Sequence, residues 1–169
     1  MNRYEESREQ AAAGSNTRQV LTFSLGKEVY GVDILRVKEI RGWSPVTRLP
    51  QSPEAMLGVL NLRGLIVPVL DLRLRFALKS AEFTPATVII VLSLRTATGV
   101  QECGIVVDNV NDVVDIANDG IKPAPSMSGH VSQYIEGIAT HDEQMLILLN
   151  AESLAANHLS STGLADQAA

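Results

Sequence analysis

The sequence predicts a mainly β protein made of two small, similar, barrel-like halves packed together, with short helices and a C-terminal helix. Three observations carry that reading. Apolar segments are strand-length, and some alternate with period two: Leu21, Phe23 and Leu25 interleave with Val20, Thr22 and Ser24. Aromatic residues are only 4% of the chain, so the core is aliphatic, a composition that suits strands. Segments of the first half also recur, in order, in the second. Short strands in close succession suggest small barrels, which close off sheet edges.

The recurrence is gapless in two places. Gly31 to Ile40 (GVDILRVKEI) matches Gly104 to Val113 (GIVVDNVNDV) in glycine, aliphatic positions and an acid. Gly58-Val59, Ile66-Val67 and Val69-Leu70-Asp71 match Gly137-Ile138, Met145-Leu146 and Leu148-Leu149-Asn150. The entry strands Val20 to Phe23 and Val88 to Val91 correspond roughly. Halves over 19–76 and 87–159, each of about 65 residues, are too small to stand alone and must share a core.

Met1 to Arg18 is polar and Ala-rich without a hydrophobic face, and reads as a flexible tail. Structure is expected from Gln19. Val20 to Leu25 is a half-buried strand, Gly26-Lys27 a hairpin turn, and Glu28 to Val32 the return strand. Asp33 can cap a short helical turn with Ile34, Val37 and Ile40 inward. Val46 to Leu49 reads as a short strand, and Ser52-Pro53 as the start of a brief helix to Leu57.

Gly58 to Phe76 then forms a hairpin around Asn61 to Gly64. Its strand Leu65 to Leu70 is apolar at both parities, so cover on both faces is expected; Pro68 points to an edge or bulge. Ala77 to Thr84 is a polar connector. Thr87 to Leu94 is a near-continuous apolar strand, Thr96 to Gln101 a loop, and Glu102 to Val107 a strand. Asp108 can cap a second short turn, and Val113-Val114 opens a further extended piece. Ile121 to Val131 is loop-like. Ile135 to Ala139 and Gln144 to Leu149 make a hairpin around His141 to Glu143. Asn150 can cap a last helix, Ala151 to Leu159, before a frayed end over 160–169.

Composition excludes several functions. Net charge is −5 with no Lys/Arg cluster, which argues against a nucleic-acid groove. No apolar run approaches the ~20 residues of a membrane span, and the N-terminus lacks the apolar stretch of a signal peptide. One cysteine, Cys103, excludes an internal disulfide and fits a reducing, cytoplasmic setting. His130, His141 and His158 are far apart, so no zinc set emerges. Asp108, Asp112, Asp115 and Asp119 lack the alternate acids and fixed glycine of an EF-hand, and read as caps and a solvated face. There is no phosphate-cradling loop and no nucleophile elbow. No metal, cofactor or catalytic residue is expected.

Two features remain. Glu39 and Arg63 end segments that should meet within the first half, where an ion pair would orient two surface elements. Val37, Val88, Ile89, Val110 and Val113 are surplus aliphatics; they either complete the core or line an apolar groove between the halves.

The matching residues point to a family. YGVDILRVKEIRG (Tyr30 to Gly42), GVLNLRGLIVPVLDLR (Gly58 to Arg73), GIVVDNVNDVV (Gly104 to Val114), IKPAP (Ile121 to Pro125) and MLILLN (Met145 to Asn150) resemble the CheW family of bacterial chemotaxis coupling proteins. The resemblance spans nearly all of Gln19 to Leu159. It implies two SH3-like five-stranded barrels, no enzymatic activity and no cofactor. It implies two partners: cytoplasmic tips of methyl-accepting chemoreceptors and the regulatory domain of the histidine kinase CheA, with further CheW copies in the same rings. The chain would be cytoplasmic and recruited to membrane-associated receptor arrays.

By the same resemblance, the receptor-facing groove maps to Val37, Glu39, Gly58, Gly104, Val110 and Val113, with Arg63 as the arginine that pairs with Glu39. Kinase contacts map to Val88 and Ile89 and to the loop Lys122 to Met127. Family members often carry a basic and an aromatic residue in that loop; Lys122 and Met127 stand there in this chain. A CheW-like adaptor of a related chemosensory system, serving pili or development, is the nearest other reading. A small enzyme is the rival from another class, and no acid–base or nucleophile constellation supports it.

Overall fold

The computed structural model describes residues 16–78, 82–125 and 130–154. Ten strands run through them: β1 (Thr17–Leu25), β2 (Glu28–Asp33), β3 (Val37–Gly42), β4 (Met56–Leu62), β5 (Leu65–Asp71), β6 (Val88–Thr96), β7 (Gly99–Val107), β8 (Asn109–Ala117), β9 (Ile135–His141) and β10 (Gln144–Leu149). They form two five-stranded sheets, ordered β8-β1-β2-β10-β9 and β3-β6-β7-β5-β4. Advancing each strand of the first order by five, cyclically, reproduces the second. In both sheets one pair is parallel, β2 with β10 and β5 with β7, and the others are antiparallel.

The repeat is therefore one of topology, but its halves do not close separately. The first barrel takes β1 and β2 from the first half and β8, β9 and β10 from the second; the second barrel takes the complement. A parallel pair needs a long crossover connection. Exchange between halves supplies it, because both parallel pairs join strands from opposite halves.

Each sheet is closed by an isolated bridge to its edge strand: Thr47 pairs with Val59, and Lys122 with Ile138. Both bridges lie against a glycine of the repeat. A Cβ on Gly58 would stand 2.2 Å from the Thr47 carbonyl oxygen, and one on Gly137 would stand 2.7 Å from that of Lys122.

Among the described residues the exchange produces three cores. Leu21, Phe23 and Leu25 of β1 meet Ile90, Leu92 and Leu94 of β6 in a central core between the barrels. Val20 joins Ile116, Ala139, Leu146 and Leu148 inside the first barrel. Ile89 and Val91 join Leu57, Val69 and Val106 inside the second. Apolar residues at both parities of β6 thus serve two cores at once.

Several local expectations change. Strand β1 begins at Thr17, within the segment read as tail, because Thr17 and Arg18 pair with Ala117 and Ile116. Asp33 does cap a turn, accepting from the Leu35 N–H, but that turn is a three-residue 3-10 helix and β3 follows. Ile40 accordingly lies on a strand and is 45% exposed rather than inward. Thr47 makes a single bridge where a strand was expected. No helix forms over 53–57: the Met56 N–H bonds the Pro53 carbonyl in one turn, and Met56 already pairs with Leu70.

Pro68 is neither at an edge nor in a bulge. Strand β5 is paired on both sides, and its ladder to β7 starts one residue later, at Val69. Leu65 and Ile66, expected to be covered, are exposed beside the turn. Strands β6 and β7 run through the expected loop to a two-residue turn at Ala97-Thr98. Where Asp108 was read as capping a turn, β8 runs from Asn109 to Ala117. Asn150 accepts from the Ser153 N–H at the start of helical residues 151–154. The frayed end and the rest of that helix fall outside the described residues.

One polar cluster is built on a buried ion pair, Asp71 with Arg73. Asp71 caps helix α1 (Leu72–Arg75), accepting the Arg73 N–H at 2.9 Å. The Arg73 guanidinium, 0% exposed, donates to both Asp71 oxygens at 3.0 Å and to Asp108 Oδ1 at 3.3 Å. It also donates to the Glu82 carbonyl and sits 4.9 Å from the Phe83 ring centre, which stacks on Trp43. Burial works against the charge, but Asp71 and then Asp108 outweigh it, so the Arg73 pKa lies above its ordinary value. Asp108 also accepts from the Gly26 N–H at 2.7 Å, tying the β1–β2 turn to the chain leaving β7.

Two predictions follow from these packing facts. Arg73→Met should lower unfolding free energy by about 3–5 kcal/mol, read by urea denaturation, because it strands the buried Asp71 carboxylate. The two barrel hairpins turn on Arg63-Gly64 and Asp142-Glu143, all at positive φ. Glu143 stands where its counterpart is Gly64. Glu143→Gly should therefore raise stability by about 1 kcal/mol in the same assay.

Candidate functional site

The β4–β5 hairpin carries its turn to the open end of the second barrel. Asn61 Oδ1 accepts the Gly64 N–H at 2.8 Å and holds the turn. Arg63, 90% exposed along its side chain, then lies with its guanidinium 4.0 Å from Glu39 on β3. Glu39 is shared with Arg41 at 3.5 Å. Lys38 pairs with Glu102 on β7. Lys38, Glu39, Arg63 and Glu102, with Leu62 and Leu65, line a cleft of about 190 Å³. The expected Glu39–Arg63 meeting is thus present, at a barrel mouth.

The other expected site residues fall in three places. Val37 and Val110 are half-buried and pack against the central core from equivalent strands, β3 and β8. Val113 is 43% exposed on β8, Val88 is half-buried at the start of β6, and Lys122 is exposed. Gly58, Gly104 and Ile89 are buried in the free chain. Gly58 abuts the Thr47 bridge, and a Cβ on Gly104 would stand 2.9 Å from Ile89 Cγ2. Ile89 fills the second barrel. Met127 lies outside the described residues.

A scan of family models matches this chain to the CheW-like domain over residues 19–158. The chain belongs to the CheW family. The chemotaxis protein CheW of Klebsiella aerogenes is 44% identical over 138 residues, covering 81% of each chain. The CheW protein of Bacillus subtilis is 31% identical over 151 residues, covering 89% of this chain and 94% of its own. Among solved structures, the scaffolding protein TtCheW of Thermoanaerobacter tengcongensis matches with a TM-score of 0.74 at 34% identity, covering 81% of this chain and 91% of that one. The two SH3-like barrels are the CheW fold, and chemotaxis signalling is its setting.

Within this CheW fold, the sequence reading missed the Lys38–Glu102 pair and the exposed apolar residues at the turns. Leu35 is 84% exposed between β2 and β3, and Ile66 and Met145 are 58% and 59% exposed at matched positions of the two hairpins. Their signal was available: each stands within two residues of a turn, where a strand leaves the core. Cys103 is buried, and burial pushes its thiol up to about 12, so it stays neutral. No group of three or more metal-binding side chains gathers among the described residues. No described helix is long and apolar enough to cross a membrane.

The packing role of Gly58 is testable. Gly58→Ala should lower stability by about 3 kcal/mol by pushing Thr47 off its bridge. The matching measurement is a denaturant midpoint for the free protein, where a pure docking residue would cause no shift.

Proposed function

We propose that this chain is a non-catalytic adaptor coupling methyl-accepting chemoreceptors to the regulatory domain of the histidine kinase CheA, within arrays at the membrane. The observation that supports it most is the Glu39–Arg63 pair, set by a hydrogen-bonded turn at a barrel mouth with the Arg63 side chain 90% exposed. An exposed ion pair adds little to folding. A guanidinium displayed on a fixed hairpin is suited instead to recognition. The half-buried Val37 and Val110, one from each barrel, would receive the apolar face of a receptor helix in the seam between barrels. Val113 would extend that surface along β8. Val88 and Lys122 would belong to a second face, for the kinase. Two faces are required because coupling needs both partners bound together.

Mixing the protein with kinase and receptor fragments should give a ternary complex and receptor-dependent autophosphorylation; unchanged kinase activity in the full mixture would sink the reading. Arg63→Ala should fold normally by circular dichroism while weakening receptor binding about three- to tenfold, more at low salt. A variant that fails to fold would make Arg63 structural.

A further inference from the structure

The two barrel mouths are copies of one another whose chemistry has parted. Strands β3 and β8 pair with β6 and β1 in matching register, and both ladders break at the same place, between Val37 and Glu39 and opposite Leu21/Phe23. The hairpins match too: Leu62 pairs with Leu65 across one turn, and His141 with Gln144 across the other. These registers set Glu39 onto Asp112, Arg63 onto Asp142, Lys38 onto Asn111 and Glu102 onto Val29.

At the second barrel an acid meets an arginine, and a lysine meets a second acid. At the first barrel both cations are gone. Asp112 and Asp142 line one cleft of about 390 Å³, against about 190 Å³ for its counterpart. Among the described residues, no lysine or arginine lines it. His141 does, with Nε2 3.4 Å from Asp142 Oδ2, and it adds positive charge only when protonated. Asp112 is held in place: its N–H donates to Thr22 Oγ1 at 3.1 Å, and the Thr22 hydroxyl donates to its carbonyl at 3.0 Å. The larger cleft thus keeps the acid and lacks the guanidinium that the same position holds elsewhere in the same molecule.

We propose that the mouth of the first barrel receives an arginine or lysine side chain from a partner protein, in the place that Arg63 takes at the second mouth. The Asp112 and Asp142 carboxylates accept its N–H donors. Val29 and Leu146, which line the same cleft, contact its aliphatic stem. This inference does not depend on the chemoreceptor reading, since its test uses neither proposed partner.

The test is a nuclear magnetic resonance titration of the nitrogen-15-labelled full chain with N-acetyl-argininamide, using the uncharged citrulline analogue as control. Saturable amide shifts are expected at Thr22, Asn111, Asp112 and residues 141–144, with little response to citrulline. The double variant D112N/D142N should bind about tenfold more weakly. Asp142→Arg should abolish the response by rebuilding the internal ion pair. Equal shifts from citrulline, no saturable shift at the cleft of the unaltered protein, or an undiminished response in folded Asp142→Arg would each overturn the proposal.

Discussion

Strands β1 and β6 show side chains to two cores at once, and the rest of the structure hangs on that double burial. Leu92 faces the central core while its neighbour Val91 faces the second barrel. Neither barrel alone has enough apolar interior to be comfortable at this size. The central core makes them one cooperative unit, and strand exchange reinforces it. Unfolding one barrel must strip β3, β4 and β5 or β8, β9 and β10 from a wall whose other strands belong to the opposite half of the chain.

The polar interior has a matching role. Arg73 collects its partners from the end of β5, from the chain leaving β7 and from the connector ahead of β6. Through Asp108 it reaches the β1–β2 turn. A buried charge is not by itself a source of stability. Its own partners end β5 and follow β7, both in the second sheet, and Asp108 carries the link across to the first, so full satisfaction of the cluster favours one relative position. That places Arg73 among the determinants of how the barrels meet.

Much of the fold was legible in the sequence because strands with alternating or doubly apolar patterns announce themselves, and because the repeat kept its glycines. Gly58 and Gly137 recur where a wall passes close to its own closing bridge, which is a steric reason and not a surface one. That distinction was not readable from the chain; the family resemblance alone placed Gly58 and Gly104 on a contact surface. Strand exchange was also hidden. Local pattern gives a strand's faces but not which half supplies its neighbours, so two halves suggested one barrel from each, packed on a shared core. The Glu39–Arg63 meeting was legible because both residues flank segments that had to converge. The Lys38–Glu102 pair was not, since β3 and β7 are separated by β6 in the sheet.

A twofold repeat poses a problem for any protein that must tell two partners apart: equivalent surfaces would bind the same thing twice. This chain keeps equivalence where backbone geometry demands it and abandons it at the mouths. The bridges, the parallel pairs and the hairpin lengths are shared between the barrels. Interior positions are held to small and aliphatic residues by close packing. The mouths carry no such constraint, because side chains there end in solvent and substitutions change folding little. Glu39 and Arg63 on one barrel and Asp112 and Asp142 on the other therefore present different charge on the same scaffold. Changing the sign of one residue on a fixed turn is enough to make two copies of one surface prefer different neighbours, since like charges brought together are penalised as surely as opposite ones are rewarded.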